Sequence, residues 1–245
     1  YLSIAHNTAF DFGGTGSFSL SAWINPATIV EAEDHHVIRK DIGTGDRGLY
    51  VLRINAITGI ADFEVGNVIS FPTNFTQVVG TNAFTVNVWD HIGGCRDRTA
   101  DKIRVYKSGV QDGTEVTDND GDCSVTAGII GIGAWVPEGG TQDEFNGRIA
   151  EVGFWNVALT DAEFLMLGKG ASPLLVRPSG LMAYFPIWGR AAEPSVTREW
   201  VAAINSTTAY PHPRIYYPNT SAQRRFSTTL PAFGPRTRMM RGMGR

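Results

Sequence analysis

Two acidic side chains on one predicted strand, Asp62 and Glu64, are the first candidates for chemistry in this sequence. They are two residues apart, so both point to the same face of a strand. Two carboxyl groups about 5–5.5 Å apart can cleave a glycosidic bond, one as nucleophile and one as acid/base. A second acidic group contains Glu31, Glu33 and Asp34. The alternative is that both groups are solvated strand faces, and we favour it.

Histidines could bind a metal or act as general bases. His35 and His36 are adjacent, so on a strand they point to opposite faces and cannot share one metal from the same surface. His91 lies in a predicted strand next to Trp89. A buried histidine is usually hydrogen-bonded inside the fold. We therefore expect a structural role for His91 rather than metal binding.

Tryptophan rings could stack on sugar rings. Trp23, Trp89 and Trp155 fall inside alternating strand patterns, which favours the core, where large rings dominate packing. Trp135 lies at the start of an acidic loop and Trp188 follows a predicted strand. We expect Trp135 and Trp188 to be the exposed candidates for ligand contact.

These residues lie in a chain of 245 residues, 42% hydrophobic, with 28 Gly, 12 Pro and two Cys. This composition suits a globular domain with a substantial core and excludes disorder throughout, a collagen-like repeat and a disulfide-stapled miniprotein. No segment is apolar enough for a bilayer span, and because the sequence starts on a strand-like pattern we expect no signal peptide. Cys95 and Cys123 lack metal-type spacing, so we expect two buried thiols, with a disulfide as the alternative.

Short apolar segments separated by Gly, Asn, Asp and Pro run through the body of the chain. Alternation of this kind predicts an all-β fold, an antiparallel β-sandwich, because helical segments between the strands are absent. One short helix is predicted near residues 160–168, where Thr160 and Glu163 form a capping box.

Four segments in this order resemble laminin-G-like modules of the concanavalin A-like superfamily. They are Phe18–Pro26, 89–92, 103–109 and 147–156. The resemblance implies a jelly-roll sandwich and a superfamily that includes pentraxins, legume-type lectins and glucanases. It does not choose between sugar binding, protein binding and catalysis.

The resemblance implies two further expectations about sites. Glucanases of the superfamily carry the pattern Glu-x-Asp-x-x-Glu on one strand, and this sequence lacks it, so we expect no enzyme activity. Pentraxin-like relatives bind calcium through an acidic loop that corresponds to residues 137–144. Glu138, Asp143 and Glu144 are therefore candidate calcium ligands, with a solvated hairpin loop as the alternative.

The charge of the chain is divided unevenly. Residues 1–199 carry a formal charge of −10, and the last 46 residues carry seven arginines and no acid, so the net charge is −3. Residues 219–245 show no strand or helix period, which indicates an extended arm that orders on a partner. The candidate arm contacts are Arg224, Arg225, Phe226, Phe233, Arg236, Arg238 and Arg241.

The C-terminal third, at 170–178, 180–186 and 211–218, resembles the ending of laminin-G-like virion proteins of tailed bacteriophages. The main hypothesis is a non-enzymatic capsid decoration protein in the virion: a sandwich at 1–190, a connector at 191–218, and an arm at 219–245 that binds capsid subunits or copies of itself. The alternative is a module that binds host glycans, with calcium as a possible cofactor. A membrane partner is not expected, and nucleic acid is disfavoured because the acidic body would repel it.

Overall fold

The structure, a computed structural model, describes residues 1–41, 49–66, 75–119, 122–123, 128–136 and 143–187, together with the backbone of 192–194 and 201–204. The strands are β1 (Leu2–Ile4), β2 (Phe18–Pro26), β3 (His35–Lys40), β4 (Tyr50–Ile54), β5 (Ile60–Gly66), β6 (Phe75–Ala83), β7 (Asp90–Asp97), β8 (Lys102–Lys107), β9 (Val110–Gln111), β10 (Val116–Thr117), β11 (Ile130–Ile132), β12 (Gly147–Trp155), β13 (Leu181–Phe185), β14 (Ala192–Pro194) and β15 (Val201–Ile204). The helix α1 spans Asp161–Gly168, and 3₁₀ turns span Thr8–Phe10 and Pro173–Leu175.

The strands form two antiparallel sheets, which confirms the predicted sandwich. The eight-stranded sheet has the order β14-β15-β1-β11-β3-β4-β5-β6. The seven-stranded sheet has the order β10-β8-β7-β2-β12-β13, with β9 paired to β8. Strands β14 and β15 come from the predicted connector, and β15 pairs with β1.

The main core lies between the sheets and follows the two-residue period of the strands. On the eight-stranded sheet, Ile38, Leu52 and Phe63 belong to this core and are fully buried. The residues that alternate with these core residues along each strand, such as Arg39 and Arg53, point to the outer face. The outer face of this sheet is therefore the polar one.

Part of the seven-stranded sheet is buried on both sides, because α1 packs against its outer face. Tyr106 of β8 stacks on Phe164 of α1 with ring centroids 3.8 Å apart. The helix begins as predicted: the Thr160 hydroxyl accepts from the Glu163 backbone N–H, and the Glu163 carboxylate accepts from the Thr160 backbone N–H. Within the described part of the chain, no helix has the length and apolar character needed to cross a membrane.

The two thiols lie in different parts of the fold; both are buried, and neither is part of a disulfide. Cys95 packs in the cluster beneath α1, whereas Cys123 belongs to the core between the sheets. Burial raises the pKa of Cys95 to about 11, so its thiol stays protonated and unreactive at neutral pH.

Candidate functional site

A cleft of about 470 Å³ opens on the outer face of the eight-stranded sheet. Its floor is formed by β3 to β6, and its walls by residues 32–34 and by the turn that joins β4 to β5. The lining residues are Ala32, Glu33, Asp34, Arg39, Arg53, Asn55, Ala56, Ile57, Glu64, Phe75, Gln77 and Asp143. The cleft thus combines carboxylate, amide and guanidinium groups with one aromatic ring.

Arg53 is the central side chain of the cleft floor. Strand register places it directly opposite Asp62 on β5. Its Nε and Nη2 donate to Asp62 Oδ2 at 3.2 and 3.0 Å, and Nη2 donates to Glu64 Oε1 at 2.6 Å. Arg53 Nη1 also lies 3.3 Å from Asp34 Oδ2. One guanidinium therefore neutralises part of a three-carboxylate cluster.

The expectation that Asp62 and Glu64 are solvated is wrong. Asp62 is 1% exposed and Glu64 is 6% exposed. Burial raises the pKa of Asp62, although Arg53 and the Gln77 amide act in the opposite direction by stabilising its charged form. The two carboxylates are bound to the same guanidinium. This is the arrangement of a structural ion pair, whereas a glycosidase needs one carboxylate as nucleophile and a separate one as acid.

Arg39 is the second guanidinium of the cleft, and it is also engaged. Its Nε and Nη2 donate to Asp41 Oδ2 at 3.1 and 2.8 Å. Its guanidinium carbon lies 4.1 Å from the centroid of the Trp135 ring. Trp135 is only 8% exposed, so the expectation that it is an exposed ring is wrong.

A second pocket, of about 570 Å³, adjoins the cleft and shares Glu33 and Asp143 with it. Its remaining lining residues are Glu31, Glu144, Phe145, Asn146 and Gly147. Between the two pockets, Asp143 Oδ2 lies 3.6 Å from His36 Nδ1. Burial holds the pKa of His36 well below its usual value, and Arg39 acts in the same direction, so this imidazole is neutral at pH 7.

The predicted calcium ligands are only partly described. Asp143 and Glu144 both line the second pocket, but Glu138 lies outside the described residues. Within the described ranges, no three His, Cys, Asp or Glu side chains are arranged to hold a metal ion. A calcium site stays a prediction. Trp188 and the arm contacts also lie outside the described residues.

A buried Ser-His pair lies on the other sheet. Ser21 Oγ is 2.8 Å from His91 Nε2, and both residues are at most 1% exposed. Burial lowers the pKa of His91 to about 4, so it would be a weak base. Because a nucleophile must be reachable by its substrate, this pair is structural, in agreement with the expectation for His91.

Sequence reasoning found Asp62, Glu64 and Asp143 but did not bring Asp62 and Glu64 together with Arg53, Arg39 or Gln77. The missed signal was alternation of charged with apolar residues on neighbouring strands. On β5 the charges Asp62 and Glu64 alternate with apolar residues, and β3 and β4 carry Arg39 and Arg53, but only the strand pairing shows which of these charges meet.

A family profile described as "Concanavalin A-like lectin/glucanases superfamily" matches residues 1–164 of this chain. No curated protein shows significant similarity. The described segments of β2 to β6 and the walls of the cleft all fall within the matched region.

Many solved structures share the fold. A proposed carbohydrate binding protein from Bacteroides ovatus ATCC 8483 has a TM-score of 0.61 and 20% identity, and the match covers 88% of this chain and 61% of that one. The CBM40 of the Ruminococcus gnavus IT-sialidase, bound to α2,3-sialyllactose, has a TM-score of 0.52 and 12% identity, covering 63% of this chain and 84% of that one. A heptameric SAP-like pentraxin from Limulus polyphemus has a TM-score of 0.50 and 11% identity, covering 69% and 76%. This chain spans about three fifths of the Bacteroides ovatus protein.

Proposed function

Because the chain belongs to the concanavalin A-like lectin/glucanase superfamily, we propose that it is a carbohydrate-binding module whose ligand occupies the cleft on the eight-stranded sheet. The observation that carries this proposal is the cleft itself. Its volume of about 470 Å³ falls within the range of small-ligand sites. The solved structures with the same fold include a proposed carbohydrate binding protein and a sialyllactose-bound module, and these support the proposal.

The lining chemistry fits a hydroxyl-rich ligand. Carboxylates such as Glu33 accept hydrogen bonds from hydroxyls, and the Gln77 amide can both donate and accept. Phe75 adds an aromatic ring at the same cleft, and ring faces pack on the apolar face of a sugar. Binding without turnover is part of the proposal, because Asp62 and Glu64 are held by Arg53 rather than placed as a catalytic pair.

Replacing Phe75 by alanine should weaken glycan binding about tenfold. An aromatic contact is worth about 1 kcal/mol beyond its buried area, and a factor of ten corresponds to about 1.4 kcal/mol. A glycan array on the wild type identifies the ligand, and isothermal titration calorimetry on both proteins then measures the dissociation constant. The midpoint of thermal unfolding checks that the variant is folded.

Val110→Ala is the matched control. Val110 is 59% exposed and lies on β9 of the other sheet, so its loss removes apolar surface away from the cleft. We expect unchanged affinity. A wild type that binds no glycan on the array, or a Phe75→Ala protein with wild-type affinity, would count against the proposed site.

A second candidate function rests on the division of charge along the chain. We propose that the sandwich is displayed on a virion as a capsid decoration protein and held there by the basic segment 219–245. Seven arginines among the last 46 residues, against a formal charge of −10 in the preceding residues, suit an arm that binds an acidic neighbour. Glycan binding and display are compatible, because the cleft and the arm are separate parts of the chain.

Deletion of residues 219–245 should abolish incorporation into particles and leave the sandwich folded. The deletion removes arginines without removing any described strand, since β15 ends at Ile204. Particle incorporation is measured by sedimentation with capsids, and folding by circular dichroism. Replacement of Arg224, Arg225, Arg236, Arg238 and Arg241 by glutamine, with the arm length kept, is the control that tests charge. A truncated protein that still joins the particle contradicts the anchoring role.

A further inference from the structure

The two guanidinium groups of the cleft already have carboxylate partners. Arg53 binds Asp62 and Glu64 and lies 3.3 Å from Asp34. Arg39 binds Asp41 through two nitrogens. An incoming carboxylate would have to displace these internal partners and leave them buried without a counter-ion, which is costly. The arginines therefore act as internal counter-ions rather than as a site for an anion.

The carboxylates outnumber these two cations. Glu33, Asp34, Glu64 and Asp143 line the cleft, and Asp41 and Asp62 bind its arginines. Six carboxylates against two guanidinium groups give a formal charge of −4. Among the described lining residues, no other side chain is basic, and the adjoining pocket adds Glu31 and Glu144. His36 contributes no positive charge at pH 7 because it is neutral.

One buried acceptor next to the cleft lining is not used within the described structure. Asp62 is 1% exposed, and its Oδ1 has no hydrogen-bond partner among the described residues. Its Oδ2 accepts from Gln77 Nε2 at 2.6 Å and from Arg53, and both of these side chains line the cleft. The groups that Arg53 and Gln77 contact therefore include an unused acceptor oxygen, beside an excess of negative charge.

We propose that the cleft selects sugars that carry a protonated amine and rejects sugars that carry a carboxylate. This inference rests on the proposed carbohydrate-binding function and specifies its ligand class. An ammonium group donates three hydrogen bonds and gains from the surrounding carboxylates, whereas an anionic sugar is repelled by them. The neighbour that was crystallised with sialyllactose shares the fold but, at 12% identity, does not fix the ligand of this chain.

The test compares three trisaccharides by calorimetry at about pH 6: fully deacetylated chitotriose, its N-acetylated form, and 3′-sialyllactose. We expect the amine-bearing sugar to bind at least about tenfold more tightly than the acetylated one, with a preference that falls at high salt, and no detectable binding of sialyllactose. Comparable or tighter binding of the acetylated sugar or of sialyllactose overturns the inference and leaves the proposed function standing. Absence of binding by all three and by a wider glycan array overturns both.

A charge variant tests whether the cleft causes the preference. Glu33 is exposed and lines both pockets, so Glu33→Gln removes one charge without a buried partner being lost. The affinity for the amine-bearing sugar, divided by the affinity for the acetylated sugar, should fall about threefold or more. Glu115→Gln is the matched control, because Glu115 pairs with Arg104 on the other sheet. An unchanged ratio in Glu33→Gln, or an equal fall in the control, contradicts the inference.

Discussion

Replacing Arg53 by methionine is expected to lower the free energy of unfolding by about 3 kcal/mol at pH 7, the lower end of the cost of removing one partner from a buried ion pair. Arg53 is the shared partner of Asp62 and Glu64, whose side chains are 1% and 8% exposed. Methionine keeps much of the apolar stem but leaves both carboxylates without their cation. Urea denaturation of the wild type and the variant measures the difference.

The difference in the free energy of unfolding between the wild type and Arg53→Met should become smaller as the pH falls. Without Arg53, the folded-state pKa of Asp62 rises further above its unfolded value, so the folded variant takes up a proton at higher pH than the unfolded chain. The variant therefore gains stability, relative to the wild type, as the pH falls through that raised pKa. A difference that is constant between pH 7 and 5 would contradict this explanation.

Arg177→Met provides the control for Arg53. Arg177 also forms a bidentate pair, with Glu163, but its side chain is 38% exposed. Exposed pairs contribute about 0–1 kcal/mol, so the control should lose less than about 1 kcal/mol. If both variants lose the same amount, burial of the Arg53 cluster is not the cause.

Acidification from pH 6.5 to 4 should cost the protein about 3 kcal/mol through His91. Burial lowers the folded-state pKa of His91 to about 4, whereas an unfolded histidine titrates near 6.5. Between these two pKa values the unfolded chain binds a proton at this histidine and the folded protein does not. The contribution of His91 to the free energy of unfolding is therefore complete above pH 6.5 and is lost as the pH falls to 4. The pKa of buried His36 is lowered as well and adds a loss of the same sign.

Free energies of unfolding at pH 7, 5.5 and 4 test the role of His91. His91→Gln keeps a polar partner for Ser21 but removes the titrating group, so the pH dependence should flatten. Ser21→Ala is the matched variant: it loses the 2.8 Å hydrogen bond to His91 and about 1 kcal/mol of stability, yet keeps the buried imidazole and the slope. A His91→Gln protein with the wild-type slope would rule out His91 as the cause.

The fold was predictable because its signals are local. Alternation along Phe18–Pro26 and the pair Thr160 and Glu163 give strands and a helix start from sequence alone. The cleft was harder to predict from the sequence, because it depends on which strands are neighbours. Strand register places Asp62 opposite Arg53, and the Arg39 side chain of β3 lies over the Trp135 ring. Neither contact has a signature within one stretch of sequence.

The pairing of β15 with β1 limits where the domain can be truncated. β1 lies between β11 and β15, so its backbone hydrogen bonds are satisfied on both sides. A chain that ended before β14 would leave one side of β1 as an open strand edge, which is a template for pairing with a second molecule and for aggregation. The matched family region stops at residue 164, but strands that close the sheet lie well beyond it. We therefore expect the isolated family region to self-associate when expressed, rather than to form a smaller independent domain.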